Sequence, residues 1–234
     1  MNVLRSMDYN HGVPRELISE NVAKLLSELP EGAELVAAAK GRTPNEVLEA
    51  VKAGVSIIGE NYISEAREAY QVVGMRAKWH FIGTLQKHSI RRSVVQMFDM
   101  IETVDSLEIA SAIDRKCALI GKRVTVLIEV NSGRESQKSG VLPECVEPLI
   151  REIGVLSNLK VMGLMTMGPY SADPEDSRPF FAETRRTFDV IKELDIPDVE
   201  MKYLSMGMTD SYRVAIEEGA NVVRIGTGIF GERD

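Results

Sequence analysis

The stretch Glu34-Leu35-Val36-Ala37-Ala38-Ala39-Lys40-Gly41-Arg42-Thr43-Pro44-Asn45-Glu46 decides how the rest of the chain reads. An apolar run of strand length, residues 34–39, stops at a single long amine, and Gly41 follows at once. Thr43 then offers an N-cap hydroxyl, Pro44 a first-turn proline and Glu46 an acid three residues after the cap. A helix therefore opens here and ends near Gly54. Strand, short turn and helix make one βα unit. A lysine where a buried strand emerges is expected to have a desolvated ammonium, which favours the neutral amine. That amine is the nucleophile that condenses with aldehydes. The plain alternative for Lys40 is a solvated strand end.

The same alternation continues on both sides. A preceding helix, residues 14–29, has Leu17, Ile18, Val22, Leu25, Leu26 and Leu29 at helical spacing. Downstream, strands are expected at 56–58, 78–82, 100–104, 123–130, 160–165, 200–204 and 221–225. Helices are expected at 61–73, from about Ser89, from an N-cap at Asp105 or Ser106, and at 143–154, 174–194 and 209–218, with a loop at 168–173. Such alternation builds a parallel sheet. Eight units in 234 residues suit one α/β domain, residues 1–234, as a (β/α)8 TIM-type barrel with an extra N-terminal helix. A doubly wound open sheet is the runner-up. No linker or low-complexity tract marks a second domain.

Apolar residues are 44% of the chain and charged ones 27%, which suits a soluble globular protein. The net charge of −7 argues against nucleic-acid or anionic-membrane partners. No apolar run reaches membrane-spanning length, and Met1 to Asp8 lacks a signal-peptide core. Cys117 and Cys145 have no ligand-type spacing and are expected to be reduced, which points to the cytoplasm. His11, His80 and His88 are too scattered for a metal site, and His11 reads as part of a disordered terminus.

In a barrel of this kind the site lies at the C-terminal strand ends. Those ends carry Lys40, Glu60-Asn61, His80 and Gly83, Glu102-Thr103, Glu129 and Asn131, Met165-Thr166, Ser205, and Arg224 with Gly226-Thr227. Two segments look built for an anion, Ser205-Met206-Gly207-Met208-Thr209-Asp210 and Arg224-Ile225-Gly226-Thr227-Gly228. Small residues let backbone N–H groups approach a ligand, hydroxyls add donors, and the loops after strands seven and eight commonly bind phosphate. An amine for an aldehyde with a cradle for a phosphate describes pyridoxal 5′-phosphate. It also describes an aldolase acting on sugar phosphates.

A resemblance separates the two. From about Leu35 to Gly231 the chain resembles the pyridoxal phosphate homeostasis protein family, single-domain relatives of the alanine racemase barrel. The resemblance rests on Lys40, Gly59-Glu60-Asn61, Trp79-His80-Phe81-Ile82-Gly83 with Leu85-Gln86, and Val130-Asn131 with Lys138-Ser139-Gly140. It continues through Gly163-Leu164-Met165-Thr166, Ser205-Met206-Gly207-Met208 and Val223-Arg224-Ile225-Gly226-Thr227 to Ile229-Phe230-Gly231. It implies that Lys40 holds the cofactor as an aldimine, that Ser205, Gly226 and Thr227 bind the phosphate, and that Arg224 faces the pyridine nitrogen. Asn61 would lie near the ring hydroxyl, with His80, Met165 and Met208 completing the surroundings. Lys138 matches a second family lysine that could serve cofactor exchange. The chain departs from the family at Gln86-Lys87-His88-Ser89, where Asn-Lys is usual after Leu-Gln, and at Ala39, often serine.

The function so implied is intracellular vitamin B6 homeostasis by a cofactor carrier without established turnover. Its expected partners are pyridoxal phosphate and apo forms of pyridoxal phosphate enzymes, with the chain a monomer or weak homodimer. The competing reading is an amino-acid racemase, which needs a second acid/base opposite the lysine. In alanine racemase that group belongs to an added C-terminal domain and a dimer, whereas this sequence ends at Asp234, directly after the eighth strand's loop. A third reading, a Schiff-base aldolase, would hold no chromophore.

Overall fold

The computed structural model describes residues 15–169 and 171–232. His11, the first eight residues and the expected helix start at Pro14 lie outside them. Helix α1 (Arg15–Glu28) precedes eight strands: β1 (Glu34–Ala38), β2 (Ile57–Glu60), β3 (Lys78–Phe81), β4 (Met100–Val104), β5 (Val124–Val130), β6 (Leu159–Thr166), β7 (Val199–Ser205) and β8 (Val222–Ile225). All pairs are parallel and the sheet closes, β8 on β1 with Val36 opposite Arg224, into the expected barrel. The open-sheet alternative is excluded by that closure. Between the strands run α2 (Pro44–Lys52), α3 (Ile63–Val73), α4 (Arg92–Met97), α5 (Leu107–Ala118), α6 (Val146–Ile153), α7 (Arg178–Lys192) and α8 (Tyr212–Glu217), with α9 (Thr227–Phe230) last.

Strand alternation sorts the core into two regions. Outward residues such as Leu35, Ala37, Ile58, Phe81, Ile101, Val126, Ile128 and Ile225 pack on the helices, against Val47, Ala66, Ile113, Ile150 and Phe181. Inward residues form separate clusters, Val36 with Ile57 and Val222, and Met100 with Leu127 and Met165. Gly163 is forced by a close approach: with φ at +147°, an added Cβ would lie 1.8 Å from the Tyr203 carbonyl oxygen.

The capping box read from sequence is formed. Glu46 N donates to Thr43 Oγ1 at 3.3 Å, and Thr43 N donates to Glu46 Oε2 at 2.8 Å. The boundaries shift elsewhere. Strand two runs on to Glu60, because pairing of Glu60 with Phe81 extends the ladder. The helix expected from Ser89 is a 3-10 turn, Lys87–Ser89, then an extended Ile90 before α4. The helix expected over 174–194 is a 3-10 turn, Pro174–Ser177, followed by α7, whose first turn holds Pro179. The segment 209–218 contributes only α8, since Met208 N donates to Ser211 Oγ and forms a turn before the helix. Both cysteines are free, Cys117 buried in α5 and Cys145 exposed. No described helix is long and apolar enough to cross a membrane.

Candidate functional site at the barrel mouth

Two residues above the apolar interior, the same strands turn polar. Met100 is followed on the inner face by Glu102, Leu127 by Glu129, Tyr203 by Ser205 and Val222 by Arg224. Glu102, fully buried, is the hub. His80 Nδ1 lies 2.7 Å from its Oε1, and Ser205 Oγ donates to its Oε2 at 2.6 Å. Arg224 Nη1 donates to Ser205 Oγ at 2.6 Å, Nη2 donates to the Thr166 carbonyl at 2.9 Å, and Nη1 stands 3.9 Å from Glu102. Thr166 Oγ1 donates to the Val130 carbonyl at 2.8 Å, fixing the strand end that receives Arg224.

Burial acts most strongly on Glu102 and opposes its ionisation, but His80, Arg224 and Ser205 together outweigh it and hold the carboxyl below its ordinary value. An ionised carboxylate only accepts, so His80 donates from Nδ1. Burial pulls the Arg224 guanidinium down, and Glu102 and Glu129 oppose that. Two further carboxyls are pushed up. Glu129 rises to about 7 through burial and then Asp105, with Arg224 opposing. Glu60 rises to about 8 through burial and then Glu65. Glu60 follows the inward Gly59, so it points outward, and its Oε2 has no hydrogen-bond partner among the described residues.

The loops above are tied to one another. Arg224 N donates to the Gly207 carbonyl at 3.1 Å, and Thr227 Oγ1 and Gly228 N donate to Thr209 Oγ1 at 3.0 and 3.1 Å. Thr209 thus accepts twice and keeps its own O–H to donate. Gly207 has φ +90°, and an added Cβ there would lie 2.6 Å from the Ala215 Cβ, so only glycine lets this turn pack. A Cβ on Gly226 would lie 3.3 Å from the Ala38 carbonyl, which places the turn after β8 directly beside the end of β1. Lys40 emerges there, two residues past β1, and Gly41 N donates to Glu65 Oε2 at 2.7 Å to hold its turn. Asn61 follows β2, where Gly83 comes so close that a Cβ would meet the Asn61 carbonyl at 2.2 Å. Across the mouth Asn131 Nδ2 donates to the Glu135 carbonyl at 2.9 Å, shaping a loop on which Lys138 pairs with Glu135 at 2.5 Å.

All nine residues expected from sequence lie at this end of the barrel, on or just past strands β1, β2, β3, β6, β7 and β8. Two local expectations change. Lys40 is exposed rather than enclosed: β1 ends at Ala38, and the residue stands beyond the packed strand. Ser205 is fully buried and its single proton goes to Glu102, so its hydroxyl braces Arg224 instead of standing free as a phosphate donor. Met165 lies in the apolar interior and Met208 is partly exposed at the rim. The sequence reading placed Glu102, Glu129 and Thr209 near the mouth without assigning them roles. Their inward or loop-apex positions follow from alternation beyond Met100 and Leu127 and from a hydroxyl three residues after Met206 in the Gly-rich turn.

Residues 14–234 match the family described as alanine racemase, N-terminal domain, which defines the class of barrel. The alanine racemase of Corynebacterium glutamicum shares this fold with a TM-score of 0.75 at 16% identity, over 95% of this chain and 63% of that one, and the D-threonine aldolase of Filomicrobium marinum does so with a TM-score of 0.75 at 15% identity, over 93% and 61%. Within the class, the chain is 38% identical over 86% of its length to the pyridoxal phosphate homeostasis protein of Aquifex aeolicus (strain VF5), covering 87% of that protein. PipY of Synechococcus elongatus PCC7942, solved with pyridoxal phosphate bound, superposes with a TM-score of 0.83 at 28% identity, over 92% of this chain and all of that one. The chain belongs to the pyridoxal phosphate homeostasis protein family.

Proposed function

We propose that the barrel binds pyridoxal 5′-phosphate at its mouth through a covalent link to Lys40 and serves vitamin B6 homeostasis as a carrier without catalytic turnover. The observation that carries this reading is the placement of the exposed Lys40 just past the end of β1, which lies beside the turn after β8, whose strand also presents Arg224. The donor set fits such a group: an amine just past β1, a glycine turn with the Thr209 hydroxyl held by Thr227, and a guanidinium within the barrel. The PipY structure with pyridoxal phosphate bound and the names of the relatives support the same reading. When bound, the cofactor supplies an aldehyde carbon for an amine and a phosphate for anchoring.

The chain's own residues divide the work. Lys40 holds the aldehyde carbon. Thr209, braced by Thr227, and the backbone at Gly226 cradle the phosphate, and Ser205 contributes through Arg224. Asn61 and Met208 border the ring, with His80 and Met165 beneath it. Arg224 faces the ring nitrogen, and because an arginine does not give up its proton, that nitrogen stays unprotonated and the ring is a poor electron sink. This favours carriage over amino-acid chemistry. The recipients are apo forms of pyridoxal phosphate enzymes, and the carrier acts as a monomer or weak homodimer in the cytoplasm.

Borohydride reduction of the loaded protein followed by peptide mapping tests the link. The adduct is expected on Lys40, and an adduct only on Lys138 or Lys87 overturns the assignment. Deuterium incorporation into L-alanine in heavy water, run beside reactivation of an apo-transaminase, tests the carrier role. Transfer without deuteration is expected, whereas racemisation at about 1 per second or faster makes the protein an enzyme.

A further inference from the structure

The polar layer inside the barrel contains two carboxylates, Glu102 and Glu129, and one guanidinium, Arg224. Arg224 is already engaged by Ser205, the Thr166 carbonyl and the nearby Glu102, and both oxygens of Glu102 are occupied by His80 and Ser205. Glu129 is different. It lies two residues past the interior Leu127, on the same face of β5, and is 3% exposed. Among the described residues its carboxyl makes no hydrogen bond. Asp105, just past β4, repels it and Arg224 on β8 attracts it, while Glu102 on β4 adds a second negative charge to the layer. Its partner in register on β6 is Met165, which carries no charge. A buried carboxylate without its own cation is strongly disfavoured, so the layer is one positive charge short. In the closed ring of eight strands β5 is four strands from β1 either way round, so Glu129 faces Lys40's strand across the mouth.

We propose that Glu129 is the acid/base group of the mouth: it receives the ammonium of an incoming primary amine, takes its proton, and so lets that amine displace Lys40 from the cofactor. This rests on the Lys40 link proposed above. The incoming R–NH3+ gives one proton to the Glu129 carboxylate. Its freed nitrogen lone pair forms the new bond to the cofactor's aldehyde-derived carbon. The other two protons of the incoming nitrogen pass to Lys40 Nζ as the carbon's double bond moves from Nζ to that nitrogen; the bond to Nζ breaks, and Lys40 takes up the proton held by Glu129 as its third and leaves as an ammonium. Glu129 ends as it began, and one cation has been exchanged for another. A carboxyl with an affinity for protons near neutrality suits this exchange.

The test uses the loaded full-length protein, with L-alanine and ethylamine as probes and the Glu129→Gln variant for comparison. Loss of the Lys40 link is followed by borohydride quenching and mass spectrometry across pH 5–9. In the wild type the rate should rise up to about pH 7, as Glu129 ionises, and then flatten. In E129Q it should fall by about a hundredfold at pH 7 and rise with pH only as the incoming ammonium itself loses its proton. The chain without cofactor gives an independent readout. The Glu129 carboxyl is raised on folding, so its stabilising contribution is present at acidic pH and lost as pH rises through about 7. E129Q should therefore melt higher than the wild type at pH 8, by roughly 4–8 °C, and equally at pH 4. Equal exchange rates and pH profiles for the two proteins overturn the inference. Absence of any Lys40 adduct in both proteins instead overturns the cofactor reading.

Discussion

The lower and upper halves of the barrel interior are built by the same strands and do opposite things. Below, Val36, Ile57, Met100, Leu127 and Val222 fill space with apolar side chains. One step of the pleat above, His80, Glu102, Glu129, Ser205 and Arg224 face the same axis with charge and hydrogen bonds. The lower layer gains stability from burial alone, roughly in proportion to area. The upper layer pays desolvation and recovers it only because nearly every donor there meets an acceptor. A barrel can therefore carry chemistry at its mouth because the layer beneath needs none.

The largest expected effect breaks the upper layer. Glu102→Ala leaves Arg224 as a buried charge without its carboxylate and should cost about 3–5 kcal/mol in urea denaturation, together with loss of pyridoxal phosphate binding. An unchanged unfolding midpoint would mean that Arg224 is compensated elsewhere. In the lower layer, Leu127→Ala opens a cavity and should cost about 2–4 kcal/mol, while the folded fraction keeps its cofactor affinity. Loss of affinity in that fraction would show that the two layers are coupled.

Glu60 offers the contrast from outside the barrel, where a buried carboxyl has an orphan oxygen. Its proton affinity is raised on folding, so the stability it contributes is present below about pH 4.5 and is lost as pH rises through about 8. Glu60→Gln should match the wild type at pH 4 and exceed it by about 2 kcal/mol at pH 8, read as unfolding midpoints at the two pH values. Equal midpoints at pH 8 would show that Glu60 finds a partner. The smallest effect belongs to the rim. Thr209→Val removes a donor to a charged acceptor, worth about 1.5 kcal/mol, so affinity should fall about tenfold for pyridoxal phosphate and much less for pyridoxal. Equal losses for both ligands would move the cradle away from Thr209.

The sequence by itself determined the barrel. Thr43, Pro44 and Glu46 announce α2 by local hydrogen bonding, and the alternation of strand-length and helix-length apolar runs leaves a parallel sheet with eight units. It also placed the nine cofactor candidates at one end, because strand ends are marked by where the apolar runs stop. Local rules served less well at α4 and α8, where side-chain turns and an extended Ile90 shorten the helices. Only the tertiary structure decided which groups meet. That His80, Glu102, Ser205 and Arg224 share one hydrogen-bonded network depends on the register of β3, β4, β7 and β8 around a closed ring, and no local pattern encodes register between distant strands. The same holds for burial: Lys40 is exposed and Glu129 is not, because solvent access is set by what the whole ring packs around each side chain.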